Sequence, residues 1–106
     1  MRIRYIKYFL VLCDEQNFTL AAKRCGISQP SLTNAIKRLE NLLGGPLFDR
    51  ARKANSVTQP TALALAVKPY FKRAHLAIER AQRRATEGGA ERQREQHDGH
   101  VEQLSR

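Results

Sequence analysis

Hydrophobic residues recur at helical spacing in three stretches of the chain, separated by residues with turn and cap chemistry. Ile6, Phe9, Leu10 and Cys13 stand three, one and three positions apart, the spacing of one helical face, so an opening helix is expected there. Leu32, Ile36, Leu39 and Leu43 follow at spacings of four, three and four with Ala35 beside them, which makes a second stripe. Leu63, Val67, Tyr70, Ala74, Ala77 and Ala81 then alternate fours and threes, the seam of a coiled-coil-like helix. A lone helix cannot bury such a seam. It implies either a second helix or the helix folding back onto its own domain.

The residues between these stripes set element ends. Thr19 is expected to cap a short helix by accepting from the N–H groups of Leu20 to Ala22, with Phe18 outside it as a hydrophobic staple. Ala21 and Ala22 allow close approach of a neighbouring helix, and Gly26 supplies the positive φ that ends this one near Cys25. Ser28 is a cap for the next helix and Pro30 falls in its first turn, where a missing N–H costs nothing. Gln29, Pro30 and Ser31 therefore crown a helix N-terminus, and Thr33, Asn34, Lys37 and Arg38 face away from the apolar stripe. A helix that enters a major groove needs hydrogen-bonding side chains near its N-terminus and positive charge on its flank. This face has both, although two amphipathic helices of a small bundle produce the same polar face.

The stretch A-A-K-R-C-G-I-S-Q-P-S-L-T-N-A-I-K-R-L-E-N-L-L-G-G-P-L-F-D-R resembles the N-terminal domain of LysR-type transcriptional regulators, A-A-x-x-L-x-V/I-S-Q-P/S-A/S-L-S/T-x-x-I-x-x-L-E-x-x-L-G-x-x-L-F-x-R. Cys25 is the departure, standing where that family has Leu. The likeness runs from the first helix to Thr58 and on into a linker helix. It implies a mainly α fold: a winged helix-turn-helix of three helices and a short two-stranded wing, followed by a long linker helix that dimerises. It also implies a bacterial, cytoplasmic transcription factor. Thr61 replaces the Gly usual at the exit of the wing, so the turn into the linker helix is expected to differ. The wing segment A-R-K-A-N-S-V is poor in β-branched residues, and short strands are expected.

Charge sharpens the picture. The formal net charge is +9, distributed as +4 over residues 1–50, +7 over 51–85 and −2 over 86–106, so the excess sits on the folded part. That is a footprint for a polyanion, which leaves DNA, RNA or an anionic membrane surface. No apolar run approaches the roughly 20 residues of a membrane span, and the opening M-R-I-R-Y-I-K lacks the pattern of a signal peptide. Cys13 and Cys25 lack CxxC spacing and read as reduced, packed thiols, with a redox switch between them the lesser alternative. His97 and His100 in H-D-G-H lack further ligands at metal-like spacing. No phosphate loop, nucleophile motif or paired catalytic carboxylates point to an enzyme, and no metal or cofactor is expected.

Three segments are expected: a winged DNA-binding domain over 1–60, a linker and dimerisation helix over 61–85, and a polar, Gly- and Gln-bearing tail over 86–106 that is expected to be disordered. The large effector-binding domain that the resemblance implies beyond this point is not in the sequence, so a fragment, a natural truncation or a stand-alone DNA reader without a small-molecule effector is expected. As a homodimer on double-stranded DNA, the chain would read base edges with Gln29, Pro30, Thr33 and Asn34, and hold phosphates with Thr19, Ser28, Ser31, Lys37 and the wing residues Arg50, Arg52 and Lys53. A second possibility is an interaction module that heterodimerises with a full-length relative and modulates it.

Overall fold

In the computed structural model, residues 1–49 and 57–88 are described. Three helices come first: α1 (Ile3–Glu15), α2 (Phe18–Cys25) and α3 (Gln29–Leu43). Two short strands, β1 (Phe48–Asp49) and β2 (Gln59–Pro60), pair antiparallel with Phe48 opposite Pro60 and Asp49 opposite Gln59. The helix α4 (Ala62–Glu87) follows. The winged helix-turn-helix expected from the sequence is the observed fold.

The ends of α2 and α3 show how local chemistry sets the motif. Asn17, extended at φ −158° and ψ 121°, caps α2 by accepting from the Leu20 N–H at 2.8 Å. The expectation that Thr19 is the cap is thus corrected: the helix begins at Phe18, and Asn, at least as good a cap as Thr, takes the role two positions earlier. Phe18 lies inside the helix and not outside it as a staple. Gly26 closes α2 at φ 72°, and its N–H reaches Lys23 O at 3.1 Å. Ser28 then caps α3, its hydroxyl accepting from the Ser31 N–H at 3.2 Å, with Pro30 in the first turn as expected.

One core joins these elements. Leu32, Ile36 and Leu39 of the α3 stripe are buried together with Phe9, Leu12, Ala21, Leu47 and Phe48. Phe9 stacks at a tilt on Phe48 with ring centres 5.6 Å apart and meets Phe71 edge-on at 5.2 Å. Ile6 and Cys13 are buried as expected, whereas Val11 and Leu12, off the α1 stripe, are buried too. Leu10 and Cys25 are half-buried against the same cluster.

In α4 the stretch through His75 belongs with the winged unit, and the stretch from Leu76 forms a separate one. Leu63, Val67 and Phe71 pack against the winged core and Ala64 is fully buried. The first two residues of the expected seam, Leu63 and Val67, therefore already have partners within the chain, while Tyr70 of the same seam is 65% exposed. Pro69 lies inside α4 without interrupting it. Val67 and Phe71 anchor the turns on either side of it to the core, and the Leu65 carbonyl whose bond Pro69 removes belongs to an exposed residue. Helix α4 also passes the expected limit at residue 85 and includes Thr86 and Glu87, with the Gly88 N–H bonded to Arg84 O at 3.0 Å. The remainder of the expected disordered tail, with His97 and His100, lies outside the described residues.

Candidate nucleic-acid interface

The first two turns of α3 form a polar, outward surface. Ser28, Gln29, Pro30, Ser31 and Asn34 are exposed and Thr33 is half-buried, while Leu32, Ala35 and Ile36 hold the helix to the core from the opposite side. The four residues expected to read bases therefore share one helix end. Neither α2 nor α3 has an acidic residue in its first turn, so the positive ends of both helix dipoles are uncompensated by side-chain charge. Lys37 and Arg38 are exposed two turns further along α3, on the flank where duplex phosphates would run.

Hydrogen bonds among the small polar residues decide which groups face outward. The Ser28 hydroxyl donates to Ser31 Oγ at 2.9 Å, leaving the Ser31 hydrogen for an outside acceptor. The Thr19 hydroxyl donates to Gln29 Oε1 at 3.1 Å and ties α2 to the start of α3. Sequence reasoning placed Thr19 at a helix cap and missed this contact, for which a separation of ten residues carries no periodic signal. Arg24 is paired with Glu15 at 3.0 Å and with Asp14 at 3.6 Å, so this cation braces α2 against α1. Arg50, Arg52 and Lys53, the expected phosphate contacts of the wing, lie outside the described residues.

The linker segment offers a different surface. Leu65 and Tyr70 are exposed apolar residues in the first stretch of α4, and Arg73 lies over the Tyr70 ring at 5.0 Å. In the second stretch Leu76 is 41% exposed, and Ala77 and Ala81 are exposed. Ala74 is half-buried.

Reactive chemistry is sparse among the described residues. Burial pushes the Cys13 thiol up to about 11, and burial also raises that of Cys25, so both are held protonated. No group of three or more His, Cys, Asp and Glu residues among those described is placed to hold a metal ion. No helix among them is long and apolar enough to cross a membrane.

The family model described as bacterial regulatory helix-turn-helix protein, lysR family, matches residues 3–65. The chain belongs to the LysR family. Among similar curated proteins, the transcriptional regulator BudR of Klebsiella aerogenes is 48% identical over 59 residues, which cover 56% of this chain and 41% of BudR. The regulator BsdA of Bacillus subtilis is 45% identical over 53 residues, covering 50% of this chain and 18% of BsdA. The chain thus matches less than half the length of these relatives. Among solved structures, the DNA complex of the CbnR DNA-binding domain aligns with a TM-score of 0.73 at 29% identity, covering 84% of this chain and 99% of that one. The BenM DNA-binding domain on its catB site 1 DNA gives 0.73 at 26% identity, covering 82% and 94%. The LysR domain therefore accounts for α1 to α3, the wing and the start of α4, and it places Gln29 to Asn34 in the helix after the turn of its helix-turn-helix.

Proposed function

We propose that this chain binds double-stranded DNA sequence-specifically as a LysR-type transcriptional regulator, two copies reading a two-fold, interrupted site. Each copy inserts the N-terminal turns of α3 into a major groove. Gln29, Pro30, Thr33 and Asn34 meet base edges, with Pro30 suited to a thymine methyl group. Ser31 and Lys37 hold phosphates and fix the register, with Ser28 orienting the Ser31 hydroxyl, joined by the wing residues Arg50, Arg52 and Lys53. The observation that carries this reading is the exposed, acid-free polar tip of α3 on a domain similar to the CbnR and BenM DNA-binding domains solved in complex with DNA.

Pairing runs through α4. The expected contacts Leu63, Val67, Tyr70, Ala74, Ala77 and Ala81 divide in their roles: Leu63 and Val67 orient the helix on its own domain, and exposed Tyr70, Ala77 and Ala81, with half-buried Ala74, face a second copy. The site of action is the bacterial cytoplasm. Selection of bound sequences from a random duplex pool tests the whole reading. Enrichment of an inverted repeat with constant spacing is expected, and no enrichment at low ionic strength by a folded, purified chain would refute it.

A further inference from the structure

Thr19 and Gln29 stand on consecutive helices, and the hydroxyl of the first donates to Oε1 of the second at 3.1 Å. A threonine hydroxyl has a single hydrogen. While it is given to Gln29 it is not given to a phosphate, so Thr19 needs a role other than backbone contact. The Gln29 amide carries an acceptor on one side and two donors on the other. With the oxygen turned to Thr19, the Nε2 hydrogens point away from that bond, and Gln29 itself is exposed at the tip of α3.

We infer that Thr19 is a positioning residue for base recognition, fixing the Gln29 amide as a hydrogen-bond donor toward the major groove. This rests on the reading of Gln29 as a base contact. A free glutamine pairs bidentately with adenine, accepting from N6 and donating to N7. That pairing needs the carbonyl oxygen aimed at the base, whereas here one of its two lone pairs is held by the Thr19 hydroxyl, which turns the donor side of the amide outward. An amide that presents its donor side suits an edge rich in acceptors, either guanine with N7 and O6 or thymine with O4. In free protein the Thr19 to Gln29 bond is exposed to water, whereas docking on a duplex excludes water from it and strengthens it at the moment of recognition.

The test uses the full chain with five sequences: wild type, Thr19→Val, which has a similar shape without the hydroxyl, Thr19→Ser, which keeps it, Gln29→Ala, and the Thr19→Val/Gln29→Ala pair. Dissociation constants are measured on the pool-selected site and on its single-base permutations, together with thermal midpoints and affinity for an unrelated duplex. At the position where Gln29→Ala erases a preference, wild type is expected to favour guanine or thymine over adenine by about five- to tenfold. Thr19→Val should lose that preference and accept adenine nearly as well, Thr19→Ser should keep it, and Thr19→Val should add nothing on the Gln29→Ala background. Thr19→Val and Thr19→Ser should match each other in unrelated-duplex affinity and in thermal midpoint. A wild-type preference for adenine there, an unchanged preference in Thr19→Val, or an equal loss on every sequence would each overturn the positioning role while leaving Gln29 a base reader. If Gln29→Ala erases no preference at any position, the base-reading role falls as well.

Discussion

The carboxylate of Glu40 accepts the backbone N–H of Leu47 at 2.8 Å, binding the last turns of α3 to the start of the wing. The backbone oxygen of the same residue receives the N–H groups of Gly44 at 2.8 Å and Gly45 at 3.1 Å. One residue thus closes α3, and sets where the chain leaves it. Leu47 and Phe48 drop straight from that point into the core. The aim of α3 and the placement of the wing are in this way coupled through a single side chain.

Replacing Glu40 by Ala leaves the part-buried Leu47 N–H without this acceptor, and a loss of about 1–3 kcal/mol is expected. Glu40→Gln keeps an oxygen in reach and should lose clearly less. Urea unfolding of the three chains decides the matter; equal losses for Ala and Gln would assign the stabilisation to charge and not to the hydrogen bond.

Thr61 stands where the resembled family usually has Gly, and its side chain explains how the turn is made here. Its hydroxyl donates to Pro46 O at 2.7 Å and accepts the Ala64 N–H at 3.2 Å, so Thr61 both pins the loop before β1 and caps the start of α4. Thr61→Ala should cost about 1–2 kcal/mol, with Thr61→Gly costing less than Ala because glycine is itself an acceptable cap. A thermal melt in which Gly proves the worse of the two would show that backbone freedom, and not cap quality, decides between them.

How far the sequence disclosed all this depends on the range of the interaction. The α3 stripe, the Gly26 turn and the Ser28 cap are written in spacings of a few residues, and each is found where the pattern puts it. The cap of α2 was missed by two positions because Asn17 and Thr19 are both competent acceptors, and only the backbone path out of α1 selects between them. That path turns at Gln16, held at φ 54° and bonded through its carbonyl to the Thr58 N–H at 2.9 Å, a contact between residues far apart in sequence. The partners of Leu63 and Val67 were illegible for the same reason: periodicity says that a stripe is covered, not by what. The Thr19 to Gln29 bond lies beyond any repeat.

Lys37 tests the division between gripping and reading. It is exposed on the flank of α3, behind the tip that carries Gln29 to Asn34. If it meets a phosphate, Lys37→Ala should weaken binding to selected and unrelated duplexes alike and lower the slope of log K against log salt by about one. A loss confined to one base position would make Lys37 a reader instead. The measurement is a salt titration of affinity on two duplexes.

Cys13 gives the chain a pH signature set by packing. Burial raises its pKa from 9.0 to about 11, with Lys68 opposing and Asp14 adding to the rise. In the unfolded chain the thiol titrates near its ordinary value. Below pH 9 both states keep the proton and folding is unaffected by this group. Above it the unfolded chain releases the proton first, which draws the equilibrium toward unfolding, so stability should fall as pH climbs from about 9 and level off past about 11. The comparison with Cys13→Ala removes every contribution that the two chains share. Urea midpoints at pH 8 and pH 10.5 should drop further for wild type than for Cys13→Ala, whatever the baseline loss from the missing sulfur. Parallel decline in the two chains would mean that the thiol meets water in the folded state, and that α1 does not seal against the core at that turn.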